Sequence, residues 1–341
     1  MNARIAGRRD VLLFTLAASL GSAVLLLALF SESFLTSLRL FFIVPFSDRY
    51  FLGNMFASSA PLIVAGLGVA FAFESRNFNL GGEGQIYLGG FVATIVAVSR
   101  PDLSPTLAWT LGVLAAMAAG ALVGGISGVL KRRLRVDELI STFLISAVVS
   151  LAVDFLISGP FQDAQSNFQT TATISAAYIF PRFFPPSSLG LALPIAIVAA
   201  GIAQLVMDRT RFGFELKICG TSPEFAQYSG IDAGAYSVFS LAASGALHGL
   251  AGALMVFGTQ GKALRGFSSG TGWNAIAVSL IAKNNPAAII PSAIFFAFLG
   301  SGARSVTMGS SMTLEIVDII QAVILFFVTA SRIPGLRRRK P

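Results

Sequence analysis

Residues 73–90 hold the densest group of side chains that could bind a solute. Between two apolar runs, this segment combines closely spaced glycines (Gly81, Gly82 and Gly84) with the polar residues Glu74, Arg76, Asn77, Asn79, Glu83 and Gln85. A polar group inside a membrane must be satisfied by protein, water or ligand, and leaving it unsatisfied costs several kcal/mol. The pattern therefore predicts broken helix ends beside a membrane path. We expect the side chains of Asn77, Asn79, Glu83 and Gln85 either to cap those helix ends or to face the solute.

A second segment, at 270–278, has a similar arrangement. Gly-Gly-Glu-Gly-Gln-Ile-Tyr-Leu-Gly at 81–89 and Gly-Thr-Gly-Trp-Asn-Ala-Ile-Ala-Val at 270–278 both place Gly-x-Gly and an amide before a short apolar run. In transporters, interrupted segments at matching positions of two halves indicate the permeation path. Trp273 offers a stacking face for a flat ring, and Asn274 offers a donor and an acceptor. Like the first group, these two residues either line the path or cap a helix.

Composition identifies the environment of both segments. Of the 341 residues, 55% are hydrophobic and 12% are charged, and the mean hydropathy is +0.77. These values predict an all-α polytopic membrane protein, with a single transmembrane domain over residues 1–341. About ten spans are expected, near 11–30, 54–74, 84–99, 107–130, 139–158, 189–208, 236–257, 273–283, 287–304 and 312–331.

Ten spans with both termini on one side of the membrane can be divided into two halves of five, about 11–158 and 189–331. An odd number of spans in each half places the halves in opposite orientations, which predicts an inverted 5+5 repeat with broken helices near the path. Residues 1–30 resemble a secretion signal, but the long apolar run without a small-residue cleavage site indicates a retained first span.

Basic residues predict the orientation of the spans. Most Lys and Arg residues lie before the first span, at 131–135, at 209–217 and after residue 331. By the positive-inside rule, these segments and both termini are cytoplasmic. The net charge of +8 does not indicate nucleic-acid binding, because the basic residues form short clusters between apolar runs.

The segments outside the membrane differ in character. Residues 31–53, rich in Phe and Leu, predict an interfacial helix. Residues 159–188 form the longest extramembrane loop, which is the expected external face for a partner.

The cytoplasmic loop at 209–235 is too long for a simple turn and predicts a short helix. Ser222 suits the N-cap, and Pro223 suits the first helical position. Glu224 complements the positive helix end, and Gly230 fits the left-handed residue after the helix. The expected apolar or aromatic contact surface consists of Phe225, Ala226 and Tyr228. This helix either rests on the membrane surface or docks a cytoplasmic motor.

Three motifs in this order resemble the permease subunits of ABC importers. They are Phe-Asn-Leu-Gly-Gly-Glu-Gly-Gln at 78–85, Arg-Phe-Gly followed by Gly220-x-x-Pro223-x-x-Ala226-x-x-Ser-Gly-Ile231, and Gly-Trp-Asn-Ala-Ile-Ala-Val followed by Lys-Asn-Asn-Pro286. The chain is similar to the nucleoside, simple-sugar and branched-chain amino-acid permease family over roughly residues 54–330, and most similar to its nucleoside type. It departs from the usual pattern at Gly82, Asn274 and Ala282.

The resemblance implies a multi-pass protein of the cell inner membrane that imports a neutral ring-containing solute, most similar to a nucleoside. Riboflavin and a simple sugar are the alternatives. The implied partners are ABC ATPase subunits, a second permease subunit in a homo- or heterodimer, an external substrate-binding protein or lipoprotein, and membrane lipid. The implied ATPase-coupling residues are Gly213, Gly220, Ser222, Pro223, Glu224, Phe225, Ala226, Tyr228 and Gly230.

Enzymatic chemistry is not expected in this chain. The sequence contains no Gly-x-x-x-x-Gly-Lys-Ser/Thr phosphate loop, so a partner must hydrolyse ATP, with residues 131–138 as a further contact. Cys219 and His248 are each the single residue of their type, and no zinc spacing is present. We therefore expect no catalytic residues, metal or cofactor.

A proton-coupled secondary transporter is the alternative from another class. It would use ionisable residues in or near the apolar spans, namely Asp154, His248, Glu315 and Asp318. The neighbours of His248, Gly245, Gly249 and Gly252, favour close helix packing over proton relay. Glu315 and Asp318 share a helix face and could simply pair with Arg304 at the interface.

Overall fold

A computed structural model describes residues 17, 20–22, 24–31, 33–310, 319, 322, 323 and 326. Within these ranges all the regular elements are helices. The first seven from residue 33 onward are α1 Phe34–Phe42, α2 Val44–Ser47, α3 Arg49–Glu74, α4 Gly82–Ser99, α5 Pro105–Leu134, α6 Glu138–Ser158 and α7 Ala192–Arg209. The remaining five are α8 Arg211–Thr221, α9 Pro223–Tyr228, α10 Ala233–Met255, α11 Thr271–Ile281 and α12 Pro286–Gly309. A π-turn at Val256–Gln260 continues α10, and a 3₁₀ turn covers Ala176–Tyr178.

Six described helices are long and apolar enough to cross a membrane: α3, α5, α6, α7, α12 and α10 with its π-turn. Two shorter apolar helices, Leu20–Phe30 and α11, accompany them. The prediction of an all-α, multi-pass membrane protein is confirmed. Most of the predicted tenth span and part of the first lie outside the described residues, so the ten-span count and the 5+5 repeat remain predictions.

α3 is the central helix of the bundle. The Asp48 side chain begins it by accepting hydrogen bonds from the backbone N–H groups of Tyr50 and Phe51, at 2.8 and 3.1 Å. Residues 59–72 are all buried, as expected of a helix that is apolar on every side. α5, α6 and α7 lie outside it and expose large apolar side chains such as Leu122, Leu151 and Ile202. This arrangement surrounds the polar interruptions with protein.

α5 and α10 approach each other closely through small residues. Gly120 lies against Gly245, and Gly124 lies against the carbonyl of Leu241, so an added Cβ at either α5 glycine would collide with α10 backbone. Such contacts let helix backbones pack tightly in membranes. The pair holds α10, which carries several polar groups of the candidate site.

The predicted interfacial helix at 31–53 forms two short helices. α1 ends at Phe42 and α2 begins at Val44, with Pro45 in its first turn. Phe41 packs against α12, where its ring lies 6.1 Å from that of Phe298, centroid to centroid. These helices thus attach the start of α3 to α12.

The two ends of α3 define the two ends of the bundle. Near its beginning, Asn54 Oδ1 accepts a hydrogen bond from the Ser188 N–H at 3.0 Å, so we call this the loop end, with residues 159–191. At its last residue, the Glu74 carbonyl lies against Gly220 of α8. We call this the basic end. It carries α8, α9 and the cluster Lys131, Arg132, Arg133 and Arg135.

Candidate functional site

Two interruptions divide the helices inside the bundle. Residues 75–81 separate α3 from α4, and residues 261–270 separate α10 with its π-turn from α11. We call them the first break and the second break. Arg76 in the first break and Gly270 in the second have φ values of 55° and 74°, which end or begin a helix abruptly. The polar sequence clusters thus coincide with real changes of chain direction.

Asn77 lies in the first break and uses its whole amide group. Its Nδ2 donates to Ser75 Oγ and Ser240 Oγ at 2.7 and 3.0 Å. Its Oδ1 accepts from Lys131 Nζ and Ser237 Oγ at 2.6 and 3.0 Å. Asn77 therefore joins the first break to α5 and α10, and in this conformation its hydrogen-bonding positions are occupied by protein.

Asn79 and Gln85 bind each other across the start of α4. Asn79 Nδ2 donates to Gln85 Oε1 at 2.8 Å and to Ser244 Oγ at 2.9 Å. Asn79 Oδ1 accepts from the Gly81 N–H at 2.9 Å and from Gln85 Nε2 at 3.3 Å. Both side chains are buried, so they fix the helix start in the manner of a cap.

Glu83 joins the two breaks. Its Oε1 accepts from the Gly270 N–H at 2.9 Å, and its Oε2 accepts from the Gly272 N–H at 2.8 Å. A carboxylate at a helix N-terminus is favoured because it meets unpaired N–H groups and the positive end of the helix dipole. A Cβ at Gly272 would lie 2.6 Å from Glu83 Cα, so only glycine permits this approach. The two Gly-x-Gly motifs therefore meet in space.

Trp273 and Asn274 face different neighbours, although they are adjacent in sequence. The Trp273 ring lies 6.2 Å from that of Phe143 on α6, centroid to centroid, and is 42% exposed. Asn274 lines a cavity of about 740 Å³ at the loop end. Of the six predicted path residues, Asn274 lies on this cavity, whereas Glu83 and the three amides hold the breaks together.

The first break is packed against the segment at the basic end. Gly220, in the last turn of α8, has no room for a Cβ, which would meet the Glu74 carbonyl and lie 3.1 Å from Ser75 Cα. Gly213 likewise lets α8 pack on α7, where an added Cβ would lie 2.6 Å from Met207 Cα. A displacement of α8 would therefore reach the first break directly.

The short helix predicted in the 209–235 loop is α9. Pro223 occupies its first turn, Glu224 lies in that turn, and Gly230 follows the helix with φ of 76°. Ser222 occupies the N-cap position, but the expected side-chain cap is absent because its hydroxyl accepts no bond from the described helix N–H groups.

The exposed surface of α9 is smaller than predicted. Tyr228 is 93% exposed and Phe225 is 57% exposed, whereas Ala226 is fully buried. The Ile231 N–H donates to the Ala226 carbonyl at 2.8 Å, just after the helix ends. Of the three predicted contact residues, Phe225 and Tyr228 are exposed and Ala226 is not.

Ionic contacts attach α8 to its neighbours. Lys217 Nζ lies 2.8 Å from Asp208 Oδ1 of α7, and the Tyr236 hydroxyl of α10 donates to Glu215. Within α8, Arg211 Nε lies 2.6 Å from Glu215 Oε1. The hydrogen bond from Tyr236, followed by that from Arg211, lowers the pKa of Glu215. On the same helix, burial raises the pKa of the Cys219 thiol. α8 is therefore joined to α7 and α10.

Lys131 connects the predicted further contact at 131–138 with the first break. Its Nζ donates to Asn77 and also lies 2.8 Å from Glu138 Oε1. Arg132 Nη2 reaches Asp232 Oδ2 at 2.5 Å. The basic cluster thus supports the first break and the start of α10.

The second break is attached to the loop end. The Thr171 N–H donates to the Ala263 carbonyl at 3.0 Å, and the Ala263 N–H donates to Thr171 Oγ1 at 3.1 Å. Gln169 accepts from Arg265 twice, through its carbonyl at 3.1 Å and its Oε1 at 2.8 Å. The 159–191 segment therefore holds the chain that leads into α11.

Asp154 belongs to the same attachment. The Tyr87 hydroxyl donates to Asp154 Oδ1 at 2.5 Å and accepts from the Gly266 N–H at 2.9 Å. Arg265 Nε lies 3.5 Å from Asp154 Oδ2. His248 is fully buried, and its ring lies beside Gly68 and Gly82. Glu315 and Asp318 lie outside the described residues.

Sequence reasoning missed the hydroxyl groups that form hydrogen bonds with the first break and the start of α4. Ser237, Ser240 and Ser244 lie along one face of α10 at helical spacing, and each bonds an amide of the first break. On α6, Thr142 Oγ1 and Ser146 Oγ accept the N–H groups of Leu80 and Gly84 at 3.1 and 2.9 Å. Hydroxyls repeated at helical spacing in apolar spans were the available signal.

Comparison with known proteins adds a family. Residues 51–329 match the family described as the permease component of branched-chain amino acid transport systems. The chain is 32% identical over 317 residues to a probable riboflavin import permease of Treponema pallidum, covering 92% of this chain and 84% of that protein. It is 32% identical over 290 residues to a guanosine ABC transporter permease of Bacillus subtilis, covering 84% and 83%. A glucose ABC transporter permease of Haloferax volcanii is 30% identical over 300 residues, covering 85% and 79%. No solved structure matches significantly.

Proposed function

We propose that this chain is the membrane subunit of an ATP-driven ABC importer. The chain belongs to the permease family of branched-chain amino acid transport systems. The contact between Glu83 and the start of α11 carries this proposal, because it joins two broken helices inside a helical bundle. Broken helices whose ends meet within the membrane are the usual setting of transporter sites.

The proposed solute is neutral and ring-containing, with a nucleoside as the first choice. The guanosine permease of B. subtilis and a nucleoside permease of Lactococcus lactis are each 32% identical to this chain. The described site offers flat aromatic faces and amides, which suit a heterocycle joined to a polyol.

The basic end is proposed to face the cytoplasm, with both termini on that side. Lys131, Arg132, Arg133 and Arg135 are concentrated there, in accordance with the positive-inside rule. The exposed rings of Phe225 and Tyr228 would dock on ABC ATPase subunits. A second permease subunit and an external binding protein or lipoprotein complete the proposed complex.

The proposed mechanism is alternating access within an inverted repeat. Movement of the ATPase subunits would displace α9 and α8, and Gly220 would pass that displacement to the first break. Glu83 would then couple the first break to α11. Rigid-body rocking of two halves around a site between them is the expected motion.

Uptake into proteoliposomes tests the proposal. The permease, reconstituted with its ATPase subunits and binding protein, should accumulate labelled guanosine only with internal ATP. An ATPase variant that cannot hydrolyse ATP is the control. ATP-independent accumulation by the permease alone, lost on substituting Asp154, His248, Glu315 and Asp318, would instead establish the proton-coupled alternative.

Riboflavin is the second candidate solute. The observation that favours it is the T. pallidum relative, whose similarity extends over 92% of this chain. Labelled riboflavin and glucose should be compared with guanosine in the same vesicles. Uptake of riboflavin with no uptake of guanosine would replace the nucleoside assignment, and uptake of glucose alone would replace both.

A further inference from the structure

A cavity at the loop end has the dimensions of a small-molecule site. Its volume is about 740 Å³, within the range of roughly 300–1,000 Å³ typical of ligand pockets. The walls come mainly from residues 50–62 of α3, residues 254–274 around the second break, and residues 296–308 of α12. One chain therefore provides a partly open cavity of a size that fits a small solute.

The apolar part of the cavity wall includes three phenylalanines among a larger number of aliphatic residues. Phe51, Phe267 and Phe296 come from three different parts of the chain. Aromatic faces stack favourably on flat heterocycles, in offset or edge-to-face geometry. This wall suits a planar ring.

Several polar groups on the cavity are available to a ligand. The side chains of Gln260 and Asn274, the Tyr50 hydroxyl and the Asn54 Nδ2 group form no hydrogen bond with any described residue. By contrast, five lining hydroxyls donate to backbone carbonyls, those of Ser58, Thr259, Ser269, Thr271 and Ser301. The cavity thus combines occupied hydroxyls with open amide groups.

Arg304 brings a positive charge to this cavity. It lies in α12, within a candidate membrane span, and it forms part of the cavity lining. No described acidic residue forms an ion pair with it. A guanidinium is expensive to place in a membrane, and such groups commonly serve a function. Its planar array of donors matches a pair of neighbouring acceptors.

We infer that the cavity binds a neutral oxo-heterocycle. Arg304 would donate to its carbonyl oxygen and to the unprotonated ring nitrogen on the same edge of the ring. The phenylalanines would stack on the ring, while Asn274 and Gln260 would bind its remaining polar groups. This inference rests on the proposed function and specifies the solute: an oxopurine nucleoside such as inosine or guanosine. Adenosine presents an amino donor in place of the carbonyl, so it would lose one of the two bonds.

Arg304→Gln is the direct test, with binding measured by calorimetry on the permease in nanodiscs. Inosine should bind the unsubstituted chain about tenfold more tightly than adenosine, since a bidentate arginine pair discriminates bases by this order. Arg304→Gln should reduce that ratio to one or below, because a Gln amide pairs with the N6 and N7 groups of adenine. Arg304→Lys should fall between them, because it keeps the charge and loses the planar fork. Arg39→Gln, an exposed arginine outside the cavity, is the matched control.

Two further measurements distinguish a loss of base recognition from a folding defect and from binding of an anionic ligand. If Arg304→Gln fails to fold, Asn274→Ala, whose side chain has no described partner, should weaken inosine binding in a folded protein. An unchanged inosine-to-adenosine ratio in a folded Arg304→Gln protein overturns the inference, as does tighter binding of inosine monophosphate than of inosine. If the unsubstituted complex transports no nucleoside, the proposed function fails. If it transports inosine and adenosine equally, only the Arg304 assignment fails.

Discussion

The first and second breaks differ in how their polar groups are used. In the first break, Asn77 and Asn79 bind serines of α10, and each amide is occupied on both its oxygen and its nitrogen. Around the second break, Asn274 and Gln260 have side chains without described partners and border a cavity. The first break therefore joins helices to one another, whereas the second leaves polar side chains open to a ligand.

The two breaks also attach to opposite ends of the bundle. The first contacts α8 through Gly220, and the second contacts residues 169–174 through the backbone of Ala263 and neighbouring groups. Glu83 is the direct side-chain link between them. A satisfied polar network in a low dielectric is rigid. The first break can therefore transmit a displacement, which Glu83 would pass to the more open second break.

Glu83→Ala should have the largest effect, because it removes the link between the breaks. Two hydrogen bonds to a charged group are lost, each worth about 1.5–3 kcal/mol, and the start of α11 loses its anionic partner. Solute uptake in proteoliposomes should fall about a hundredfold. Glu83→Gln keeps one acceptor oxygen and should retain intermediate uptake. Normal uptake by Glu83→Ala would show that the breaks work independently.

Asn77→Ala and Asn274→Ala test the difference between an occupied and an open amide. Asn77→Ala leaves Lys131 Nζ and three serine hydroxyls short of a partner, so stability should fall by about 2–4 kcal/mol. Asn274→Ala should leave stability nearly unchanged and weaken solute binding instead. Thermal unfolding in nanodiscs and calorimetry measure the two effects. Equal destabilisation by both substitutions would remove the distinction.

The aromatic surface of α9 tests whether the basic end drives the first break. Tyr228→Ala combined with Phe225→Ala should reduce ATP-driven uptake about tenfold, because buried aromatic contacts dominate such interfaces. The unfolding temperature of the isolated permease should stay the same, since both rings are exposed. Phe155→Ala, 70% exposed on the membrane-spanning helix α6, is the control for loss of an exposed ring. An equal loss of uptake in the control would contradict docking at α9.

Local sequence signals were sufficient for the breaks and for α9. Gly-x-Gly beside an amide located both breaks, while Pro223 and Gly230 located the ends of α9. These signals act over a few residues, so a single sequence contains them. α8 was not predicted, because Gly213 and Gly220 lower helix propensity; here they permit close packing on α7 and α3 instead.

Long-range pairing was not accessible from the sequence in the same way. Asn79 and Gln85 are equally plausible as path residues in the sequence. The structure shows them occupied, because Asn79 binds Ser244 of α10 and Gln85 binds Asn79. Arg304 was read only as an interfacial charge, because its cavity is assembled from parts of the chain more than 200 residues apart. Burial of Ala226 likewise depends on how the chain turns after α9. Partners chosen by tertiary packing decide these roles.

Glu215→Gln should give the smallest effect. It tests whether the contact between α8 and α10 contributes to stability. Hydrogen bonds from Tyr236 and Arg211 lower the pKa of Glu215 below its ordinary value of 4.5. A depressed folded-state pKa contributes stability above the unfolded-state pKa, and that contribution is lost as the pH falls through the folded-state value. The unfolding temperature of the unsubstituted chain should therefore decline below about pH 4.5, and Glu215→Gln should flatten part of that decline. A profile equally steep in Glu215→Gln would mean that the attachment of α8 to α10 does not depend on this carboxylate.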